Sequence, residues 1–534
     1  ALRLSQKIDK NGNLTQQAFS DTIETMKSFA YMCKLYHADR IIAVATAAIR
    51  NAGNGAELTR LVQRETGISL HIITGNTEAY ISYLGVINTL PYHSGIIFDL
   101  GGGSTELILF QDRKILESVS VPIGAVNTTA LFNTRNTVSS SVYGELSFFL
   151  RTRLAEYPWL KQPKLPLIGV GGTARTIGKM HQRATKYPTT KIHNYKLTVQ
   201  AFRGIFNRLK NSTLEERRKI SGLSSDRADI IIAGAAIINA LFEVTGSKQL
   251  ITSGCGLREG LFYDYYSKER GIPLIAEDIL ARSTDNILNL YTPDLTHSHH
   301  ITNLALAMFD AWKPLHGLGK NCRRLLKTAA LLHDIGITIN FYSHARHSAY
   351  MIQNAKLFGL THKEQLLASA VAGWHNGISK SYFSRDPLYM TMLTENNWQT
   401  VSRLALLLAL AESLDYTQTG ILSITRAGIN NEGAFLELKE HGNPVIELHQ
   451  NEHKNKKAET QMRFCFFCLP FNLSHQPWHG LFLSGGGQRA DFPALLLPAY
   501  CAAPKLCLLY RQCCNTILYN PAHPLSAVIF PSVP

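Results

Sequence analysis

Residues 95–110 read GIIFDLGGGSTELILF, and this stretch decides the fold. Two apolar runs of strand length flank Gly101, Gly102 and Gly103, so the segment predicts a β-hairpin closed by a glycine turn. KILESVSVP continues the strand pattern to about residue 122. Asp99 ends the first strand and Glu106 opens the second. An acidic side chain at the end of an apolar strand can hold a divalent cation or its water. Three glycines let backbone N–H groups approach a phosphate without a Cβ in the way, and Ser104 adds a hydroxyl. A bare glycine turn needs no ligand. The flanking acids, and a second glycine pair at Gly171-Gly172-Thr173, tip the balance toward a phosphate site.

Upstream, Phe19, Ile23, Met26 and Cys33 give one helix its apolar face. Residues 41–45 and 70–74 read as short buried strands, and 79–90 resumes helical spacing. Gly75-Asn76-Thr77-Glu78 precedes that helix, with Asn76 or Thr77 as its cap and Glu78 in its first turn. Arg50 follows the first strand and can grip a phosphate oxygen. Downstream, residues 140–265 alternate helices with short strands before Gly171 and Gly254. A link is expected over 267–273, helix throughout 275–416, and strands in FLELKE and PVIELHQ within 420–450. From about 465 the chain is charge-poor and broken by Pro and Cys, and the sequence assigns it neither helix nor strand. The Cys465–Cys468 pair lacks a second CxxC, so no zinc site is expected there.

The chain has 534 residues, with 54 Lys+Arg against 39 Asp+Glu and a net charge of +15. The excess is local: residues 151–219 hold 16 basic and 3 acidic side chains. That placement favours an inorganic polyanion over nucleic acid. No run of about 18 uninterrupted apolar residues suggests a membrane span. The N-terminus has no apolar signal core, and the cysteines before residue 465 are scattered, so a reduced, cytoplasmic setting is expected.

VATAAIRNAGN, ITGNTEAYISYLGV, FDLGGGSTELILF, GVGGTARTIG, SSDRADIIIAGAAII and TSGCGLREGLFYD occur in this order. Together they resemble the exopolyphosphatase / guanosine pentaphosphate phosphohydrolase (Ppx/GppA) family of the sugar kinase–Hsp70–actin superfamily. The resemblance implies a two-lobed actin-like (ribonuclease H-like) α/β part. Lobe I would span 1–94 and lobe II 95–270. An all-α HD-like domain (275–420), a small β-rich segment (421–460) and an atypical tail (465–534), expected to be disordered, would follow. It also implies release of orthophosphate from polyphosphate, or the 5′-phosphate from guanosine pentaphosphate, by a homodimer. Glu78 matches the family's catalytic base. Asp99 and Glu106 match the acids around Mg²⁺ or Mn²⁺, and Arg50 the substrate-phosphate arginine. Gly101, Gly102, Gly103 and Ser104 match the phosphate loop, and Gly171, Gly172 and Thr173 that of the second lobe. The region 254–260 falls where the superfamily binds nucleotide. The family's first phosphate loop has no counterpart before Ala1, which makes an N-terminally truncated lobe I and an inactive polyanion-binding or regulatory protein a further expectation.

The later half carries a separate pattern. Leu331-Leu332-His333-Asp334-Ile335-Gly336 ends an apolar helix, His297 precedes it, and His347, His375 and Asp415 follow. This order resembles the HD-superfamily metal phosphohydrolases. It implies a second divalent cation (Mn²⁺, Fe²⁺, Zn²⁺ or Mg²⁺) on those six residues.

Overall fold

The computed structural model describes residues 2–292, 294–377, 380–431, 433–450, 466–469 and 526–529. The first part is α/β. The helix Gln16–Leu35 is capped by Thr15, and Phe19, Met26 and Cys33 turn inward as their spacing predicts. β1 (Arg40–Ala45) pairs in parallel with β2 (Leu70–Ile72). The core of this layer includes Leu4, Leu14, Phe19, Met26, Leu58 and Val62.

A six-stranded mixed sheet follows. β3 (Gly95–Leu100), β4 (Thr105–Gln111) and β5 (Lys114–Val121) form the predicted antiparallel meander. β6 (Leu167–Val170), β7 (Tyr195–Thr198) and β8 (Gln249–Thr252) complete the order β5-β4-β3-β6-β8-β7, in which β3, β6 and β8 run parallel. The inner strands β3, β4, β6 and β8 are apolar on both sides because helices cover both faces. Ile96, Phe98, Leu107 and Leu109 pack with the helices Ser140–Ala155, Gly172–Ala184, Val199–Lys210 and Ile231–Thr245. Ile97, Ile108 and Phe110 pack on the opposite face with the helix Gly75–Ile87 and with Leu261 of the helix Leu257–Arg270. Those two helices meet almost backbone to backbone. A Cβ at Gly260 would sit 1.8 Å from the Ile81 carbonyl, and one at Gly85 2.1 Å from that of Gly256, so only glycine permits the crossing.

The expected link at 267–273 begins as helix. Ser267 to Arg270 extend the Leu257–Arg270 helix, supported by the Lys268–Asp264 ion pair at 2.8 Å. Gly271, at φ 61°, ends it. Helices then run from Ile279 to Leu414 around a second core containing Met308, Leu326, Leu332, Val371, Leu404 and Leu408. β9 (Leu422–Asn430) and β10 (Gly433–Glu440) form an antiparallel hairpin beside it. FLELKE is therefore a strand, but its partner is LSITRAGIN, and PVIELHQ is not a strand: residues 445–450 are helical. Short strands β11 (Phe466–Leu469) and β12 (Ser526–Ile529) pair in parallel with β10 and β1. The rest of the segment beyond 465, including Cys465, lies outside the described residues. Among the described residues no helix is long and apolar enough to cross a membrane.

Candidate active site

Because β3, β6 and β8 are parallel and end level, their following loops converge at one edge of the sheet. The cleft there has a volume of ≈ 310 Å³ and is lined by Gly101, Gly102, Gly103 and Ser104, by Gly171, Gly172 and Thr173, and by 253–259. Glu78 and Asp99 also face it. The three glycine carbonyls after β3 are turned away. Ala125 N–H donates to Gly101 O (3.0 Å), Val126 N–H to Gly102 O (2.9 Å) and Asn127 Nδ2 to Gly103 O (2.9 Å). A trans peptide points its N–H opposite its C=O, so the amides of residues 102–104 face the cleft.

In the hairpin register Asp99 stands directly opposite Glu106, on the face that carries Ile97 and Ile108. The Gly75–Ile87 helix lies on the same face and brings Glu78 and Ser82 to the two acids. Its cap is Thr74, not the expected Asn76 or Thr77. The extended Thr74 accepts from Thr77 N–H (3.1 Å), so the helix starts one residue before Asn76. Glu78 stays in the first turn. Its Oε2 accepts from Arg50 Nη1 (2.8 Å), which also donates to Ile73 O (3.0 Å). Ser82 Oγ donates to Asp99 Oδ2 (2.5 Å), while Ser104 and Ser120 both donate to Glu106 Oε1 (2.8 Å each).

Three carboxylates are buried close together, and among the described residues only Glu78 has a hydrogen-bonded basic partner, Arg50. Burial, with Asp99 beside it, pushes Glu78 up to about 7 against the pull of Arg50. Burial, Glu78 and Asp99 push Glu106 up to about 8. Burial also raises Asp99. This excess of buried negative charge on oxygen donors fits Mg²⁺ or Mn²⁺, which take one or two carboxylates and complete their sphere with water and phosphate.

Across the cleft lie cations that the sequence reading missed: Arg175, Arg227 and Arg258, with Glu259 among them. Burial lowers Arg175, and Arg258 adds to the effect; burial and then Arg175 lower Arg227. The Arg227 guanidinium lies so close over Gly172 that a Cβ there would sit 2.1 Å from its Cζ. Arg175 was within reach of sequence reasoning, since it falls in the first turn of the helix that the second glycine loop opens. Not all of the basic excess over 151–219 is approach surface. Arg217 is fully buried and donates to the carbonyls of Arg135 (2.6 Å), Asn136 (3.1 Å) and Ala228 (2.5 Å).

The Ppx/GppA phosphatase family matches residues 1–269, and its domain III matches residues 279–459. The chain belongs to the Ppx/GppA phosphatase family. A solved Aquifex aeolicus member of the Ppx/GppA family is 32% identical, with a TM-score of 0.44, covering 50% of this chain and 87% of its own. An exopolyphosphatase from Cytophaga hutchinsonii is 25% identical, with a TM-score of 0.47, covering 50% of this chain and 87% of its own. The actin-like α/β part followed by a helical domain is the fold that this family membership carries.

The family's domain III contains the histidine set. His297, His333, Asp334 and Glu412 form one group whose ligand atoms lie within 4.8 Å of one another, and Asp334, His344 and His375 form another. Two expected ligands are displaced. His347 is half-buried against Gly336 and belongs to neither group; His344, at the first position of the same helix, points to Asp334 instead, with Nε2 3.3 Å from Oδ1. Asp415 accepts from the far nitrogen of His297, Nδ1, at 2.8 Å and from Gly420 N–H at 2.6 Å, so it orients an imidazole. Glu412, three residues earlier on the same helix, reaches the group in its place. Burial lowers His297, but Asp415 and Glu412 outweigh it and hold it up to about 10, whereas burial and His333 push His375 down to about 4.

Proposed function

We propose that this chain is an exopolyphosphatase that hydrolyses the terminal phosphoanhydride of inorganic polyphosphate and releases orthophosphate. The observation that carries the reading is Glu78, a buried carboxylate held by Arg50 at the cleft mouth and titrating at about 7. A base with that acidity is half-ionised at neutral pH and can take a proton from water. The loop amides of residues 102–104 and the helix start after Gly171 would cradle the terminal phosphate. Arg50 would steady one of its oxygens. Glu78 would orient the attacking water in line with the bridging oxygen, accept its proton, and so let the P–O bond to the chain break. Arg175, Arg227 and Arg258 would neutralise the charge left on the shortened chain. Asp99 and Glu106 are the residues that would hold Mg²⁺ or Mn²⁺, which when bound offsets phosphate charge. The exposed basic side chains of 151–219 are an approach surface for a long polyanion. The free cysteines Cys33, Cys255 and Cys322 are compatible with a cytoplasmic setting.

The test is phosphate release from long-chain polyphosphate and from guanosine pentaphosphate with Mg²⁺, for the native chain and Glu78→Gln. Release that Glu78→Gln abolishes supports the reading; unchanged turnover in that variant refutes Glu78 as the base. Release from guanosine pentaphosphate alone reassigns the substrate. Polyphosphate binding without release leaves a polyanion-binding protein.

A further inference from the structure

We infer that the outer edge of β1 is a strand-binding site, and that its occupant is residues 526–529 of the same chain.

β1 is built as an interior strand. Arg40-Ile-Ile-Ala-Val-Ala45 is apolar at every position after the first. Ile41, Ala43 and Ala45 pack into the core that holds Phe19, Met26 and Leu58, whereas Ile42 and Val44 pack on the opposite face with Ile81 and Leu84. A strand covered on both faces ordinarily has a neighbour along each edge. β2 supplies only part of one. It pairs with Ala43, Val44 and Ala45, opposite Leu70, His71 and Ile72. Along the other edge Arg40, Ile41, Ile42 and Ala43 pair with Ser526, Ala527, Val528 and Ile529. The two ladders overlap at Ala43 alone, so among the described residues β12 is the only strand that holds the first half of β1. Without it the backbone groups of 40–42 would form an open apolar edge, the kind that takes up an extended segment.

The nature of that segment fits the place. Ser526-Ala-Val-Ile529 ends in two β-branched residues, and Pro524 and Pro531 bound it in the sequence. A proline has no N–H to lend a ladder, so the pairing is confined to the stretch between them. The ladder is parallel. Two copies meeting β1 to β1 about a two-fold axis would pair antiparallel, so such a dimer does not account for it. A parallel neighbour arrives by a crossover, and the stretch between Leu469 and Ser526 is long enough to make one. The helix Leu257–Arg270 lies beside β12 and also beside the start of β1, where the Arg40 guanidinium sits 5.2 Å from the centre of the Tyr265 ring. That helix forms one wall of the groove the segment enters. β1 in turn leads straight into Thr46 and the single helical turn Ala47–Arg50, which carries Arg50 to Glu78. The occupant therefore steadies the strand that aims this arginine.

Two measurements on the full chain test the site. Arg40→Cys/Ser526→Cys places a thiol pair on the register at the exposed first residue of β1. After mild oxidation, peptide mapping is expected to find the 40–526 disulfide within a monomer. Arg40→Cys/Ile529→Cys is off the register and is expected to link at least several-fold more slowly. A 40–526 link between two chains overturns the same-chain occupant, and equal linkage in the two pairs, including none, overturns the pairing. Hydrogen exchange of the amides of 40–43 reads the ladder itself. Neighbouring residues of a strand turn their N–H groups to opposite sides, so one of Ala527→Pro and Val528→Pro removes a donor from the ladder. At least one of these variants is expected to raise exchange at 40–43 about tenfold or more. Native exchange rates in both overturn the site, and do so even if the cysteine pairs fail to fold.

Discussion

Glu106→Gln tests the electrostatics of the cleft most directly. The change is nearly isosteric, and the Gln Oε1 can still accept from Ser104 and Ser120, the two hydroxyls that Glu106 Oε1 now receives. What disappears is a charge opposite Asp99 and near Glu78. Folded, Glu106 titrates at about 8; unfolded, near 4.5. Its folded pKa is raised, so its contribution to stability is intact below pH 4.5 and is lost as pH climbs through about 8. At about 1.4 kcal/mol per pH unit the full loss is about 5 kcal/mol. The variant should therefore match the native chain at pH 5 and exceed it at pH 8.5 by about 3–5 kcal/mol. For the α/β part that is about 10 °C in melting temperature. Differential scanning calorimetry in chelator, following the transition of this part at both pH values, measures it. Saturating Mg²⁺ should close most of the gap by raising the native chain more than the variant. Equal melting at pH 8.5, or the same separation at pH 5 as at pH 8.5, would refute the argument that three carboxylates are buried together against their own repulsion.

Other outcomes follow from single contacts. Glu78→Gln should lower kcat by about 10²–10⁴. In the native chain kcat/KM should fall about tenfold per pH unit below about pH 7, because the base works only when ionised; a flat profile from pH 5 to 8 contradicts this. Gly172→Ala places a methyl into the Arg227 guanidinium and should cost about 1–3 kcal/mol or displace the arginine; a several-fold rise in KM for polyphosphate with kcat nearly kept is expected, and an unchanged KM denies Arg227 a role. His193 ties the two parts together. Its Nδ1 accepts from Gly254 N–H (3.1 Å), its Nε2 donates to Thr89 O (3.1 Å), and its carbonyl accepts from His362 Nε2 (2.8 Å). His193→Ala should cost about 1–3 kcal/mol by leaving buried groups unpaired, and should merge less well the calorimetric transitions of the α/β and helical parts; unchanged stability and cooperativity would dismiss the coupling.

The hairpin at 95–111 was legible because everything that specifies it is local. Continuous apolar runs of strand length joined at a glycine turn mark the hairpin, and its register puts Asp99 across from Glu106. The second glycine loop was legible for the same reason, as the end of a short strand. Order of motifs supplied the family. Residues 267–270 and 445–450 were misread because local texture there, a Gly and a Pro nearby or a β-branched pair, was outweighed by an i,i+4 ion pair in one case and by the chain's wider surroundings in the other. The three cleft arginines carried no pattern of their own, since a lone Arg on a helix or loop is most often a surface residue.

Sequence by itself determined which carboxylates, glycines and histidines this protein has to work with, and which of them are neighbours along one strand or one helix turn. Tertiary structure decided which of them meet. Arg50 reaches Glu78 only because the Gly75–Ile87 helix packs across the sheet beside it. Glu412 and His344 displace Asp415 and His347 because of the way their helices are turned in the bundle, a rotation set by apolar packing around Leu408, Leu410 and Ala349. Side chains a few residues apart on one helix differ little in composition or spacing, but differ completely in the direction they face, and that direction is fixed by what the rest of the helix buries.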